Sequence, residues 1–235
     1  MDGGAVWRPV PGEAPGPALR RVEAPDVAPL SACLARAFED DPVSCYLFPS
    51  PRTHLARLEA YFAWQLRHVF IPKGEAWTTE DLAGASLWMP VRRLSPPSIP
   101  GALVQLAAAV RLLGRRTGKA LRLIDELQAA HPKVDHCYLS TIGTDPPLQG
   151  SGIGSALMRV VLARLDEEST PAFLESSKEE NLAFYHRHGF TVTGEVGGGG
   201  TGTPRIWLMW REPASLADPP ALLHPSRRRS APPPH

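Results

Sequence analysis

The run Ser-Thr-Ile-Gly-Thr-Asp-Pro-Pro-Leu-Gln-Gly-Ser-Gly-Ile-Gly-Ser-Ala-Leu-Met at positions 140–158 constrains this chain more than any other segment. It reads as a strand, a proline turn, a glycine loop and the start of an amphipathic helix. Gln149, Gly150, Gly152 and Gly154 fall where that helix begins. A helix start carries unpaired backbone N–H groups and the positive end of the helix dipole. Glycines let such a backbone approach an anion closely, so the loop is a candidate pyrophosphate cradle. It is not a dinucleotide fingerprint, because the order is Gln-Gly-Ser-Gly-Ile-Gly rather than G-x-G-x-x-G. It is not a P-loop either, since no Gly-Lys-Ser/Thr follows.

A second block follows closely. Residues 171–175 (Pro-Ala-Phe-Leu-Glu) form a short apolar strand, and 178–188 read as a helix. Gly189 sits where a left-handed residue closes a helix, and Phe190-Thr-Val-Thr starts another strand.

The two blocks together resemble the GCN5-related N-acetyltransferase (GNAT) superfamily. Gln149, Gly152 and Gly154 match its Gln/Arg-x-x-Gly-x-Gly/Ala acetyl-CoA motif. Tyr185, Gly189 and Phe190 match its Tyr-x-x-x-Gly-Phe ending. Within the family the chain is most like the puromycin N-acetyltransferases, through 171–175, 181–185 and 189–193, and loosely through Ala37-Phe38 and Arg205-x-Trp207-x-Met209. The likeness fades between about Pro90 and Lys133, where an acceptor pocket would be shaped.

The resemblance implies a set of roles. The pantetheine arm and thioester carbonyl would lie along Thr141, Ile142 and Gly143. The pyrophosphate would sit on Gln149, Gly150, Ser151, Gly152, Ile153, Gly154 and Ser155. Tyr185 would protonate the coenzyme A thiolate, which suits a phenol and a thiol of neighbouring acidity. Asn181, one helical turn earlier on the same face, would hold the pantetheine or the strand end. The asparagine found in many family members seven residues before the tyrosine is Lys178 here. Glu175, ending its strand, is the candidate general base. The cluster Glu39, Asp40 and Asp41 would attract a cationic amine or sit in solvent.

Composition excludes several other classes. The 235 residues are 43% hydrophobic and 21% charged, with a net charge of +1. That balance suits one globular domain and gives no electrostatic footprint for nucleic acid or an anionic membrane. Nothing reads as a transmembrane or signal segment. Cys33, Cys45 and Cys137 are widely spaced and odd in number, which suggests a reducing cytoplasm and three buried small hydrophobes. His136, His186 and His188 lack the spacing and partners of a metal set, so no metal is expected.

The expected fold is mixed α/β: a predominantly antiparallel sheet flanked by helices, as in the GNAT acyl-CoA N-acyltransferase fold. Residues 1–17 and 213–235 are expected to be loose tails around a domain at 18–212. Between the tails the pattern predicts a strand at 19–22, a helix capped by Asp26, and a helix with a Leu55, Leu58, Phe62, Leu66, Val69 stripe. Paired strands at 77–79 and 85–89 are broken by Pro90. Helices follow at 99–113 and 118–130, then a strand at 136–143, the cradle helix at 152–167 and strands at 190–195 and 205–211. Gly197 to Gly200 read as a hairpin connection.

The functional expectation is an acetyl-CoA-dependent N-acetyltransferase acting on a primary amine of a small molecule, such as an aminonucleoside or another antibiotic-like amine. The apolar 99–113 stretch would roof its compact pocket. The alternatives are acetylation of protein N-termini or lysines, and a non-catalytic acetyl-CoA-binding module. The oligomeric state, monomer or homodimer, is left open.

Overall fold

The computed structural model describes residues 16–91, 114–198 and 202–214. The expected tails therefore lie almost wholly outside the described residues, as does the helix expected at 99–113.

Seven strands form one sheet. They are β1 (Leu19–Arg21), β2 (Glu75–Thr79), β3 (Gly84–Val91), β4 (His136–Thr144), β5 (Ala172–Ser176), β6 (Thr191–Val196) and β7 (Ile206–Arg211). Their order is β1-β2-β3-β4-β5-β7-β6, and every pairing is antiparallel except β4 with β5. The helices are α1 (Val27–Ala37), α2 (Pro42–Leu47), α3 (His54–Gln65), α4 (Thr117–Ala130), α5 (Ile153–Glu167) and α6 (Leu182–Arg187).

Period-two alternation splits the core into two layers. Ala85 and Leu87 of β3 pack with Leu30 and Leu34 of α1 and Leu58 and Phe62 of α3. Trp88, Leu139 and Leu174 pack on the other face with Leu157, Val161 and Leu165 of α5. The sheet is thus clad by α1 and α3 on one side and α5 on the other.

The decisive irregularity is in β4. Leu87 pairs with Thr141 and Trp88 with Leu139, so Ser140 is skipped. An extra residue of this kind bends its strand and increases the local twist. The parallel ladder between β4 and β5 stops at the same place, after Cys137↔Ala172, Tyr138↔Phe173 and Leu139↔Leu174. Beyond it β5 pairs with β7 alone, through Glu175↔Leu208 and Ser176↔Trp207. The two central strands splay apart.

Four local expectations are corrected. Asp26 precedes α1 but makes no capping bond to it; its carboxylate binds Arg20 at 2.6 and 2.9 Å and accepts from the Glu23 N–H at 2.8 Å. Pro90 does not break β3, which runs to Val91. β2 starts at Glu75, opposite Trp88, so Pro90 lies past the ladder that would have needed its N–H. The third helix buries Leu58, Phe62 and Leu66 but leaves Leu55 exposed, and it passes through a π-helical turn, Leu66–Phe70. Cys45 is exposed, whereas Cys33 and Cys137 are buried, which pushes their thiols up to about 11 and about 12.

The end of the fold is tied by Arg211 of β7. Its guanidinium binds Asp166 of α5 twice, at 2.7 Å each, and donates to the His188 carbonyl at 3.0 Å. That carbonyl belongs to the turn that closes α6, where Gly189 has φ of 85°. Arg211 therefore fixes where α6 ends relative to α5. Truncating one partner of a buried ion pair leaves the other charge uncompensated. Arg211→Ala is expected to cost about 3 kcal/mol, read as a fall in Tm of roughly 6–12 °C for a domain of this size.

Candidate active site

The loop between β4 and α5 is built by local rules. Pro146–Leu148 form a 3₁₀ turn, and Arg36 of α1 grips Asp145 before it at 2.6 and 2.9 Å. That pairing holds the Asp145 carboxyl below its usual range. Gly150 and Gly152 then take φ of 79° and 89°, values that side-chain-bearing residues rarely adopt. A Cβ at either would meet nothing within 4 Å, so both face open space. The N–H groups of Gly150, Gly152, Ile153, Gly154 and Ser155 donate to no acceptor among the described residues. They form a row of free donors at the positive end of a helix of 15 residues.

These donors face a cleft of about 540 Å³. Ile142, Gly143 and Thr144 of β4 form one wall, Gln149, Gly150, Gly152, Gly154 and Ser155 another, and Asn181, Phe184, Tyr185 and Arg187 a third. Gly143 is closely packed: a Cβ there would come within 3.0–3.1 Å of Leu34, Ala37 and Phe38, so their side chains would have to shift. The expected cradle residues are therefore brought together, with two qualifications. The Ile153 side chain is buried in the core beneath α5, and the Ser151 hydroxyl turns back to the Leu148 carbonyl at 2.5 Å. Of these two, the Ile153 N–H is free for a ligand, whereas the Ser151 N–H also turns to the Leu148 carbonyl, at 3.4 Å.

A smaller cavity of about 60 Å³ opens between the splayed strands. Ser140, Thr141 and Ile142 line it from β4, Leu174, Glu175 and Ser176 from β5, Asn181 from the 3₁₀ turn that leads into α6, and Tyr185 from α6. Tyr185 and Asn181 border both spaces. Tyr185 is only 7% exposed, with its ring edge-on to Phe184 and Phe190. Its hydroxyl has no hydrogen-bond partner among the described residues. Burial, and secondarily the Asp41 carboxylate, push its pKa well above the ordinary value of about 10. The phenol is thus held protonated, as a donor. Glu175 accepts a 2.9 Å hydrogen bond from the Tyr138 hydroxyl, whose own pKa is raised by burial and by Glu175.

The acidic cluster separates into three fates. Glu39 is exposed, and Asp40 pairs with Lys178 at 2.6 Å. Asp41 is buried, caps α2 through the Ser44 N–H at 2.8 Å, accepts from the Ser177 hydroxyl, and borders both cavities. Lys178, in the family's asparagine position, therefore serves as a tie to the α1–α2 loop. The three histidines also separate. His136 contacts His131, His186 binds the Phe190 carbonyl at 2.9 Å, and His188 meets the Ser155 hydroxyl at 3.2 Å. Among the described residues no group of His, Cys, Asp and Glu side chains could hold a metal ion. No helix among them is long and apolar enough to cross a membrane. Spacing gave no sign of Tyr138 or His131 beside Glu175, because they meet only through the sheet register.

Comparison with known proteins agrees with this fold. The model of the acetyltransferase (GNAT) family matches residues 35–190. The chain belongs to the GNAT family. It is 29% identical over 182 residues to an uncharacterized N-acetyltransferase of Schizosaccharomyces pombe, covering 74% of each chain. Its fold is similar to that of a solved histone acetyltransferase HPA2 and related acetyltransferase from Corynebacterium glutamicum, with a TM-score of 0.60, 24% identity, and coverage of 86% of this chain and 99% of that one. It is also similar to a polyamine N-acetyltransferase of Drosophila melanogaster, with a TM-score of 0.58, 16% identity, and coverage of 83% and 99%. This GNAT chain is an N-acetyltransferase, and its family uses acetyl-CoA as cosubstrate.

Two outcomes follow from the cradle. Gly152→Asp would place a carboxylate in the open space that a pyrophosphate needs, on a backbone that disfavours a side chain. Coenzyme A affinity, measured by calorimetry on folded protein, is expected to fall at least tenfold, about 1.4 kcal/mol. The second concerns His188. Burial, then Arg159, Arg187 and Arg211, lower its pKa to about 4. The unfolded chain, with an ordinary histidine near 6.5, binds the proton first as pH falls. The contribution of neutral His188 to stability is full above about pH 6.5 and is lost as pH drops towards about 4. Denaturation midpoints of wild type and His188→Gln across that window should converge as pH falls.

Proposed function

We propose that this GNAT enzyme acetylates a primary amine of a small molecule, with Tyr185 as general acid and Glu175 as general base. The observation that carries this reading is the position of Tyr185. A buried, protonated phenol, without a hydrogen-bond partner among the described residues, borders both the large cleft and the splay cavity. Acetyl-CoA would lie with its pyrophosphate on the 150–155 loop, where the N–H groups of Gly150, Gly152, Ile153, Gly154 and Ser155 are free, and its pantetheine along Thr141, Ile142 and Gly143. Asn181 would hold the arm, and Lys178 and Arg187 are the cations on the cleft wall.

The chemistry then runs through residues already in place. The acceptor arrives as an ammonium ion, for which buried Asp41 supplies a nearby negative charge. Glu175 removes one proton, through water if needed, and the neutral amine attacks the thioester carbonyl. The carbon–sulfur bond breaks as the amide forms, the departing thiolate takes the Tyr185 proton, and the second proton of the attacking nitrogen restores the phenol. Holding both reactants in the splay supplies much of the rate through orientation. The small cavity at the transfer point and the likeness to puromycin N-acetyltransferases favour a compact acceptor, an aminonucleoside among them. The free thiols support a cytoplasmic setting.

Tyr185→Phe keeps the ring and removes a hydroxyl that makes no hydrogen bond among the described residues, so Tm should stay within a degree or two. With a panel of amines, puromycin-like aminonucleosides included, kcat for coenzyme A thiol release is expected to fall about 10²–10⁴-fold. Turnover within about threefold of wild type, with chemistry rate-limiting, removes Tyr185 from the mechanism. Turnover on peptide amines alone replaces the small-molecule acceptor.

A further inference from the structure

Cys137, Leu139, Ala172 and Leu174 turn towards α5, so Tyr138, Phe173 and Glu175 turn to the opposite face of the sheet. There they meet His131, the residue that ends α4. Its ring stands edge-on to Tyr138 and Phe173, with centroids 5.4 and 4.9 Å away. His131 Nδ1 lies 3.8 Å from Glu175 Oε1, and about a quarter of the His131 side chain reaches solvent. His131 thus spans the distance between the candidate base and water.

The hydrogen bonds around it fix where its proton sits. His136 Nδ1 lies 2.7 Å from the Val134 carbonyl, which only accepts, so His136 carries its proton on Nδ1. His136 Nε2 is then an acceptor. It lies 3.1 Å from His131 Nε2, which must donate to it. The remaining lone pair of neutral His131 is therefore on Nδ1, the nitrogen that faces Glu175. Burial and the neighbouring His131 lower the His136 pKa, which keeps this anchor neutral. The titratable groups facing His131 among the described residues are His136 and Tyr138 of β4 and Glu175 of β5. Asp135, just before β4, acts on His136.

We propose that His131 relays the acceptor's proton from Glu175 to solvent, with His136 and the Val134 carbonyl holding it in the tautomer that accepts at Nδ1. The inference rests on Glu175 being the base. Acetylation of an ammonium ion releases two protons from nitrogen: one reaches the thiolate through Tyr185, and the other must leave. That other proton moves from the amine to a Glu175 oxygen and then, through one water or a small rotation that closes the 3.8 Å gap, to His131 Nδ1, forming an imidazolium beside the restored carboxylate. It departs to water, and no electron is transferred. The C-terminal end of α4 favours that transient cation, and the Tyr138 hydroxyl steadies the carboxylate through each turnover. His131 lines neither cavity and acts through Glu175.

The test compares wild type, His131→Gln and Glu175→Gln at several pH values between about 6 and 9, in rising concentrations of imidazole buffer. The relay predicts that His131→Gln lowers kcat about tenfold in dilute buffer, leaves the KM for acetyl-CoA unchanged, and recovers as imidazole replaces the missing carrier. Glu175→Gln is expected to be slow and not to recover. His131→Gln within about twofold of wild type throughout, or slowed beyond recovery by imidazole, overturns the relay while Glu175 stands as base. A wild-type rate for Glu175→Gln removes the base itself, and the relay with it. Should His131→Gln lose its native melting transition, His131→Asn is read by the same criteria.

Discussion

One unpaired residue in the middle of the sheet sets the rest of the site. Ser140 is skipped in the β3–β4 register, and the β4–β5 ladder stops one residue earlier, at Leu139. A bulge there bends β4 while β5 stays paired to β7. Backbone groups of β4 beyond that point lose a strand partner on the β5 side. A buried backbone group without a partner is costly, and an extended, amide-bearing ligand is a chemical match for such an edge. Glu175 sits at the splayed end of β5, and Asn181 and Tyr185 on the turn and helix that follow it, so all three gather around the same opening.

The opening is held by ties between segments distant in sequence. Arg36–Asp145 fixes the glycine loop to α1, Asp40–Lys178 and Asp41–Ser177 join the α1–α2 loop to the β5–α6 loop, and Arg211 anchors the end of α6 to α5. Two of these involve solvent-exposed partners and contribute little to stability singly. Their effect is positional: each sets one wall of the cleft relative to another. Asp41 differs, because it is buried and close enough to Tyr185 to help keep the phenol protonated.

Much of this was legible in the chain itself. The glycine loop, the helix after it and the Gly189 closure follow from local backbone rules, and each lies where the pattern puts it. Tyr185 and Glu175 were marked by motif and by strand end. The bulge at Ser140 left no trace, because no glycine or proline marks it and the strand reads as continuous. Pro90 misled for a related reason: whether a proline breaks a strand depends on where the neighbouring strand ends, which is a tertiary fact. His131 and Tyr138 were invisible as partners of Glu175, since strand register and the end of α4 bring them together. Asp26 looked like a helix cap until Arg20, six residues away, claimed its carboxylate.

The central claim is that two sets of unpartnered backbone groups, beyond the bulge on β4 and at the start of α5, hold the coenzyme. Amide hydrogen exchange with and without coenzyme A tests it most directly. The account predicts slowed exchange at residues 150–155 and along 141–144, with little change at β1 and β2. Protection confined to other segments, or tight coenzyme A binding that leaves both sets exchanging as before, would contradict it.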